Sequence, residues 1–168
     1  RAYRQETGDA PLKEHIASAM LMRSGWTENT DAPLVDLMCG SGTIAIEAAY
    51  IARNIAPGIK RMYWGFTKWL GHEEKLWDDL VEQAISAQKP SCSGIYAGDF
   101  SRKMVAIAKA NADFAGVFND ISFSQQDATK SSPPVATPGY VVSNPPYGER
   151  LGELTSLISL FSDWGKRF

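Results

Sequence analysis

The sequence predicts an α/β fold in which helices cover both faces of an open, mostly parallel β-sheet. Three observations carry this prediction. Short apolar or alternating runs are separated along the chain by longer stretches of helical periodicity. Each run has the length of a buried strand and is too short for a helix. Each run is also followed by polar or glycine-rich residues, as expected where parallel strands end at one common edge of a sheet.

The elements follow one another in a regular order. The first helix has Ile16 and Met20 at helical spacing and Gly25 in place to end it. Pro33 precedes the first strand, and Gly116 closes the fourth helix. The predicted helices span residues 12–24, 44–55, 73–87, 103–115 and 154–164, and the predicted strands span residues 34–37, 95–98, 121–124 and 140–143.

Composition narrows the class of protein. The chain has 168 residues, enough for one domain with a sizeable core. No apolar run approaches the roughly 20 residues that cross a bilayer. Cys39 and Cys92 are isolated and have no metal-ligand spacing, which favours a reduced, cytoplasmic protein without a metal site. A net charge of −2 gives no general attraction for a polyanion. A nucleic-acid substrate would therefore need a local basic patch or another domain.

A glycine-rich loop follows the first strand. Asp36 is followed by Gly40 and Gly42 in the pattern D-x-x-x-G-x-G, which resembles the first signature of class I methyltransferases. Gly40, Gly42 and Ala45 also fit the dinucleotide fingerprint G-x-G-x-x-G/A, so NAD is an alternative cofactor. That fingerprint expects an acid about 20 residues onward, whereas Asp99 comes 57 residues after Gly42. Asp36 would repel a pyrophosphate but suits a cofactor that carries a sulfonium and an amino group.

Two further acids follow the second and third strands. Asp99 lies where the class I methyltransferase fold places the carboxylate that binds the ribose hydroxyls, and Asp127 lies where an acid meets the adenine amino group. Either acid alone is more typical of a solvated loop. Three acids in order at successive strand ends favour a binding site for S-adenosylmethionine.

The fourth strand ends in Asn144-Pro145-Pro146-Tyr147. Each proline fixes its own φ and restricts the residue before it to extended conformations. Because prolines lack N–H groups, this stretch offers only acceptors, chiefly the Asn144 side-chain oxygen and the Pro145 carbonyl. Two rigid acceptors beside the ring of Tyr147 suit a planar base that bears an NH₂ group. We therefore expect these four residues to be catalytic in methyl transfer to an exocyclic amine.

Five segments resemble the bacterial 23S ribosomal RNA guanine-N2 methyltransferases of the RlmL type, and the likeness covers nearly the whole chain, including its tryptophan-rich insertion. An older label for such sequences is N6-adenine-specific DNA methylase. One departure is Ser101, where the family usually has a second acid after the ribose-binding one. The segments are residues 3–14, 38–43, 55–58, 64–66 and 144–152.

The resemblance implies an S-adenosylmethionine-dependent enzyme that releases S-adenosylhomocysteine and acts on ribosomal RNA. It also implies that residues 1–168 form a single but partial methyltransferase domain, with an RNA-binding THUMP domain before it and later strands after it. The residues implied to contact the cofactor are Asp36, Met38, Cys39, Gly40, Ser41, Gly42, Thr43, Asp99, Phe100, Asp127, Ala128 and Asn144.

Several alternatives stay open. The motif itself does not separate guanine-N2 from adenine-N6 methylation of DNA or RNA, and an NAD-dependent oxidoreductase or a non-catalytic binding module remains possible from the residues. Trp64, Trp69 and Trp77 are interpreted as local core in preference to base-stacking residues. Arg4 and Arg150 fit phosphate contacts and solvated arginines equally. An exposed sheet edge could recruit a second copy.

Overall fold

The computed structural model describes residues 12–145 and 154–166. These residues form five α-helices, four strands and three short 3₁₀ helices, and every predicted element is present with its ends within three residues of the prediction. The helices are α1 (Glu14–Arg23), α2 (Thr43–Ala52), α3 (Glu74–Ser86), α4 (Arg102–Ala115) and α5 (Leu154–Gly165). The strands are β1 (Leu34–Asp36), β2 (Ile95–Asp99), β3 (Ile121–Gln125) and β4 (Tyr140–Val141).

The strands form one sheet in the order β3-β2-β1-β4, and all three pairings are parallel. Leu34 of β1 lies between Ile95 of β2 and Tyr140 of β4, which fixes the register at the centre of the sheet. The chain builds the sheet outward from β1 to β3 and then returns to place β4 on the other side of β1. This reversal creates a switch point between β1 and β4, where ligands bind in folds of this type.

Successive residues of β1 face opposite sides of the sheet. Leu34 belongs to the main core, which α1, α2 and α4 cover. Val35 faces the other side, where it clusters with Leu37 and Ala128 and where Trp164 of α5 packs. The predicted parallel sheet with helices on both faces is therefore confirmed, and β1 is buried throughout because both of its faces are covered.

Helix α2 lies at the centre of the main core. Nine of its ten residues are buried, which explains why the sequence is apolar almost all round this helix. Its buried Glu47 accepts a hydrogen bond of 2.7 Å from Ser18 Oγ of α1. The predicted helix ran to residue 55, but α2 ends at Ala52 because Asn54 turns the chain with a φ of 55°.

The long insertion between α2 and β2 is tied to the amino end of the sheet. Arg53 follows α2, and its guanidinium contacts Asp120, which directly precedes β3, at 3.0 Å. The Lys89 N–H donates to the Arg53 carbonyl, and the Cys92 N–H donates to Asp120 Oδ1. Asp120 therefore holds both ends of the insertion at the amino ends of the strands, whereas the switch point lies at their carboxyl ends.

The insertion contains its own aromatic cluster. Trp64 and Phe66 pack edge-on against Trp77, with ring centroids 5.5 Å and 4.8 Å apart, and His72 lies beside Phe66. Trp64 and Trp77 pack locally as predicted, but both are half-buried and lie outside the main core. The prediction of a local core is wrong for Trp69, whose side chain is 73% exposed. Trp69 directly follows a short 3₁₀ turn, Gly65–Lys68, and returns to extended backbone that carries its ring away from the cluster.

No helix within the described ranges is long and apolar enough to cross a membrane. The same ranges contain no group of three or more His, Cys, Asp or Glu side chains that could hold a metal ion.

Candidate active site

The candidate site lies at the carboxyl ends of the strands, around the switch point between β1 and β4. Asp36 is the last residue of β1, and Ser143 and Asn144 follow β4. The Val142 N–H donates to the Val35 carbonyl at 3.0 Å, which continues the pairing beyond the strand proper. This pairing brings two predicted site residues, Asp36 and Asn144, to adjacent strand ends.

Asp36 is a buried carboxyl group that is 2% exposed. Its Oδ1 accepts hydrogen bonds from Ser143 Oγ at 2.6 Å and from the Met38 N–H at 3.2 Å. Within the described ranges, no group donates to its buried Oδ2. Burial raises the pKa of Asp36 to about 7, the two hydrogen bonds oppose that rise, and the charge of Asp99 adds to it. The site therefore holds a buried acceptor that a cationic ligand would complete.

The glycine loop is held against α4. Gly42 has a φ of 85°, and a Cβ at this position would lie only 3.0 Å from the Cβ of Ala108. The buried Asn111 donates from its side-chain nitrogen to the Ser41 carbonyl at 3.0 Å. The missing Cβ at Gly42 and the hydrogen bond from Asn111 let α2 and α4 approach closely while the loop backbone turns toward the site. Sequence reasoning missed Asn111 because it reads as an ordinary mid-helix polar residue.

Ser41 and Thr43 are buried, with their hydroxyl oxygens 3.4 Å apart. Cys39 is buried beside them, and its N–H donates to the Gly98 carbonyl at 2.8 Å. Burial, with the charges of Asp36 and Asp99, raises the pKa of the Cys39 thiol far above its ordinary value. A protonated thiol is a poor nucleophile, which agrees with a role for Cys39 in loop packing and not in covalent catalysis.

Asp99 links the second strand to the glycine loop. Its Oδ2 accepts from the Gly40 N–H at 3.0 Å, and its Oδ1 accepts from the Ser101 N–H at 2.8 Å. Each carboxylate oxygen has capacity for a further hydrogen bond, so Asp99 can still receive two ligand hydroxyls. The next residue, Phe100, is 75% exposed, and Gln125 Nε2 donates to its carbonyl at 3.2 Å. The structure thus brings together Asp36, Gly40 and Asp99, as predicted.

Asp127 follows β3 at the far side of the site. Its Oδ1 accepts from the Thr129 N–H at 3.0 Å and from Thr129 Oγ1 at 2.7 Å. These hydrogen bonds hold the pKa of Asp127 below its ordinary value, and Lys130 contributes at 3.4 Å. Asp127 is therefore an ionised acceptor held in a turn, and Ala128 beside it is buried. In the described part of the chain, Asp127 forms its side-chain hydrogen bonds within its own turn and not with Asp36 or Asp99.

Asn144 and Pro145 are half-buried and follow β4 after Val142 and Ser143. Pro146 and Tyr147 lie outside the described residues, as do Arg4 and Arg150. Ser143, which sequence reasoning did not select, connects the two halves of the site, because its hydroxyl donates to Asp36 and accepts from the Met38 N–H at 3.2 Å. Its position next to Asn144 was the only signal in the sequence.

A parallel sheet with a glycine loop after its first strand and acids after each of the next two defines a Rossmann-like, class I methyltransferase fold. Comparisons with known proteins agree with that class. The family described as "UPF0020: RMKL-like, methyltransferase domain" matches residues 1–168. The chain therefore belongs to this family of methyltransferase domains.

The relatives are close in sequence and in structure. The chain is 94% identical, over its whole length, to the ribosomal RNA large subunit methyltransferase K/L of Alteromonas mediterranea (strain DSM 17117 / CIP 110805 / LMG 28347 / Deep ecotype). It spans about a quarter of that protein, 24%. It also resembles SMU.472, a methyltransferase crystallised with SAH, with a TM-score of 0.87, 36% identity, and coverage of 99% of this chain and 43% of the other.

A third comparison bears on the choice of base. A protein from Listeria monocytogenes str. 4b F2365, described as an N6-adenine-specific DNA methylase, superposes with a TM-score of 0.82 and 36% identity. That match covers 98% of this chain and 43% of the other. Fold likeness alone therefore does not separate adenine from guanine.

Proposed function

We propose that this domain transfers the methyl group of S-adenosylmethionine to the exocyclic N2 amino group of a guanine in large-subunit ribosomal RNA. The observation that carries the proposal is the contact between Asp36 and Ser143, which joins the predicted cofactor loop to the predicted catalytic motif at the switch point. The name of the relative that is 94% identical supports the same substrate class.

The residues present fit the proposed cofactor. Asp36 Oδ2 is buried and accepts no hydrogen bond from the described residues, so a positively charged group would satisfy it. Asp99 has free acceptor capacity for the ribose hydroxyls, with the ring of Phe100 exposed beside it, and Asp127 is an ionised acceptor for an adenine amino group. The loop residues Met38, Cys39, Gly40, Ser41, Gly42 and Thr43 would contact the amino-acid end. When bound, S-adenosylmethionine supplies an already activated methyl group.

The catalytic contribution of the chain would then be positioning. We propose that the Asn144 side-chain oxygen and the Pro145 carbonyl accept the two amino hydrogens of the target base. These bonds would draw the nitrogen lone pair out of conjugation and aim it toward the methyl donor. In the same proposal Pro146 keeps the stretch rigid and Tyr147 stacks on the base. No strong general base is needed, because the proton can leave after the nitrogen has become cationic.

Three alternatives are weaker. Adenine-N6 methylation needs the same two acceptors, and the description of the Listeria protein favours it, but the relatives of higher identity act on ribosomal RNA by name. Membership of a methyltransferase family argues against an NAD-dependent oxidoreductase. A non-catalytic binding module would not require the buried carboxyl group of Asp36 beside a rigid acceptor motif.

We further propose that residues 1–168 act as one methyltransferase domain of a longer cytoplasmic protein. The relatives are about four times as long as this chain, which leaves room for an RNA-binding THUMP domain and later strands. Those parts would supply much of the grip on ribosomal RNA, because the net charge here is only −2.

Asn144→Ala tests the catalytic assignment. We expect S-adenosylhomocysteine to bind with nearly unchanged affinity, measured by calorimetry, while methyl transfer to ribosomal RNA falls at least about 100-fold, as when one preorganised polar contact to the reacting group is lost. Asn119→Ala, at an exposed position beyond α4, serves as the matched control. Unchanged turnover in the Asn144 variant would remove this residue from the mechanism.

The base is tested separately. Nucleoside mass spectrometry would compare ribosomal RNA from cells with and without the gene. Selective loss of N2-methylguanosine supports the proposal, whereas loss of N6-methyladenosine at constant N2-methylguanosine would keep the mechanism and replace the base.

A further inference from the structure

The insertion carries a segment whose charge differs from that of the rest of the chain. Residues 59–72 contain the cations Lys60, Arg61 and Lys68 and no carboxylate, although the whole chain has a net charge of −2. All three cations are exposed, but the Lys60 ammonium already donates to the Phe114 carbonyl and lies over the Phe114 ring of α4. We call residues 59–72 the basic aromatic segment. Such a segment is a local positive surface on a protein that otherwise gives a polyanion no attraction.

Exposed rings lie between these cations. Trp69 is 73% exposed and Tyr63 is 55% exposed. Lys68 Nζ lies 5.7 Å from the ring centroid of Tyr63, and the Arg61 guanidinium lies 4.8 Å from that of the packed Trp64. The cations and rings therefore form one mixed surface. Side chains that only complete a core would be buried, as Trp26 is.

A groove beside Trp69 has room for a flat ligand. It encloses about 350 Å³, and its apolar wall comes from Phe66, Trp77, Leu76 and Leu80. Its one acid is Glu73. Three of the four acids of α3, Glu74, Asp78 and Glu82, follow one another at a spacing of four residues, and the fourth is Asp79. That spacing places these three on a different face of the helix from Leu76 and Leu80, whereas Asp79, three residues after Leu76, borders the apolar face.

We propose that the basic aromatic segment binds single-stranded RNA, with Trp69 and Tyr63 stacking on bases and Arg61 and Lys68 contacting phosphates. This inference rests on the proposed function, because it assigns a second contact to the same RNA substrate. Aromatic stacking combined with cations on the backbone is how proteins bind single strands without reading sequence. A surface for another protein segment would have no need of an acid-free run of cations.

The position of the segment determines its role. The insertion is fastened at the amino end of the sheet through Arg53 and Asp120, whereas Asp36 and Asn144 lie at the carboxyl end. The segment therefore anchors RNA away from the target base and contributes to binding, not to the chemical step. Its loss should raise KM for a long RNA and leave kcat unchanged.

The test uses three substitutions of the exposed Trp69 in the full chain. Affinity for a fluorescein-labelled single-stranded RNA of mixed sequence is measured by anisotropy, with folding checked by circular dichroism. We expect Trp69→Ala and Trp69→Leu to weaken binding by about 5- to 150-fold, the range for losing one stacked base. Trp69→Phe, which keeps a stacking ring, should bind nearly as the wild type does. Lys68→Glu should make the salt dependence shallower by about one in log–log slope, whereas Lys109→Glu on α4 should have much less effect.

Each contrary result is distinct. If all three Trp69 variants bind RNA with the affinity of the wild type, the proposal is overturned, while methyl transfer to RNA is left intact. A Leu variant that binds as well as the Phe variant shows an apolar contact without stacking, and it also overturns the proposal. Unchanged RNA affinity with an altered sedimentation coefficient would assign the surface to a protein partner. A wild-type chain that binds no RNA but accepts S-adenosylhomocysteine would count against the proposed substrate as well.

Discussion

At the scale of single residues, the site depends on a contact that joins distant parts of the chain. Ser143 and Asp36 are 107 positions apart, yet Ser143 Oγ lies 2.6 Å from Asp36 Oδ1. The sequence predicted both ends of this contact as strand ends, since acids and a proline motif follow the strands. It did not predict the contact itself, because that depends on the parallel register that pairs Val35 with Val141.

The buried carboxyl group of Asp36 predicts how stability varies with pH. Burial raises its pKa from 3.8 to about 7 in the folded chain. Between these values the folded chain binds the proton more tightly than the unfolded chain does, so the free energy of unfolding falls as pH rises. Asp36→Asn keeps the acceptor but does not titrate. We expect the difference in free energy of unfolding between this variant and wild type, measured in urea, to grow by about 3 kcal/mol from about pH 5 to pH 8.

Ser143→Ala probes the same titration from the other side. The Ser143 hydroxyl favours the charged carboxylate, so its removal should move the titration midpoint of Asp36 to higher pH. Ser124→Ala, at an exposed position in β3, should leave the midpoint in place. A difference between Asp36→Asn and wild type that is constant with pH would mean that Asp36 is ionised in the folded chain throughout.

At the scale of elements, the sequence predicted the type and order of every α-helix and strand in the described ranges, but not the three short 3₁₀ helices. Periodicity and glycine stops were sufficient because burial and local backbone preference agreed, as at Gly116, where φ is 80° after α4. The exposed ring of Trp69 was missed for a physical reason. The insertion has no regular period, so an aromatic residue gives no sign of which side of a turn it occupies.

The close packing of α2 on α4 at Gly42 predicts that a side chain at this position lowers the free energy of unfolding. Gly42→Ala places a Cβ at a φ of 85° and 3.0 Å from Ala108 Cβ. We expect a loss of about 1–3 kcal/mol in the free energy of unfolding, from backbone strain and crowding together. Gly71→Ala is the matched control, since Gly71 has no positive φ and its added Cβ meets no atom within 4 Å. Equal stability of the two variants would contradict this account of the loop.

At the scale of the whole molecule, the two ends of the parallel strands carry different side chains. The carboxyl ends hold the acids Asp36, Asp99 and Asp127, which suit a cationic nucleoside cofactor. The insertion at the amino ends holds the basic aromatic segment. A net charge of −2 hides this separation. Composition could therefore predict that any RNA grip is local, but only the fold shows where the local patch lies.

The acids at the carboxyl ends of the strands predict which nucleotide cofactor stabilises the whole chain. S-adenosylhomocysteine at about 100 times its Kd should add about 2.7 kcal/mol to the free energy of unfolding. For a domain of this size, that corresponds to a rise of about 5–10 °C in Tm. NADH at the same concentration should produce no rise, because Asp36 repels a pyrophosphate. Asp99→Ala should remove most of the shift, since this carboxylate both receives the ribose in our proposal and accepts the Gly40 N–H at 3.0 Å. Ser122→Ala, at an exposed position in β3, should preserve the shift. Tm is measured by differential scanning fluorimetry. A rise in Tm with NADH and none with S-adenosylhomocysteine would reverse the assignment of the cofactor.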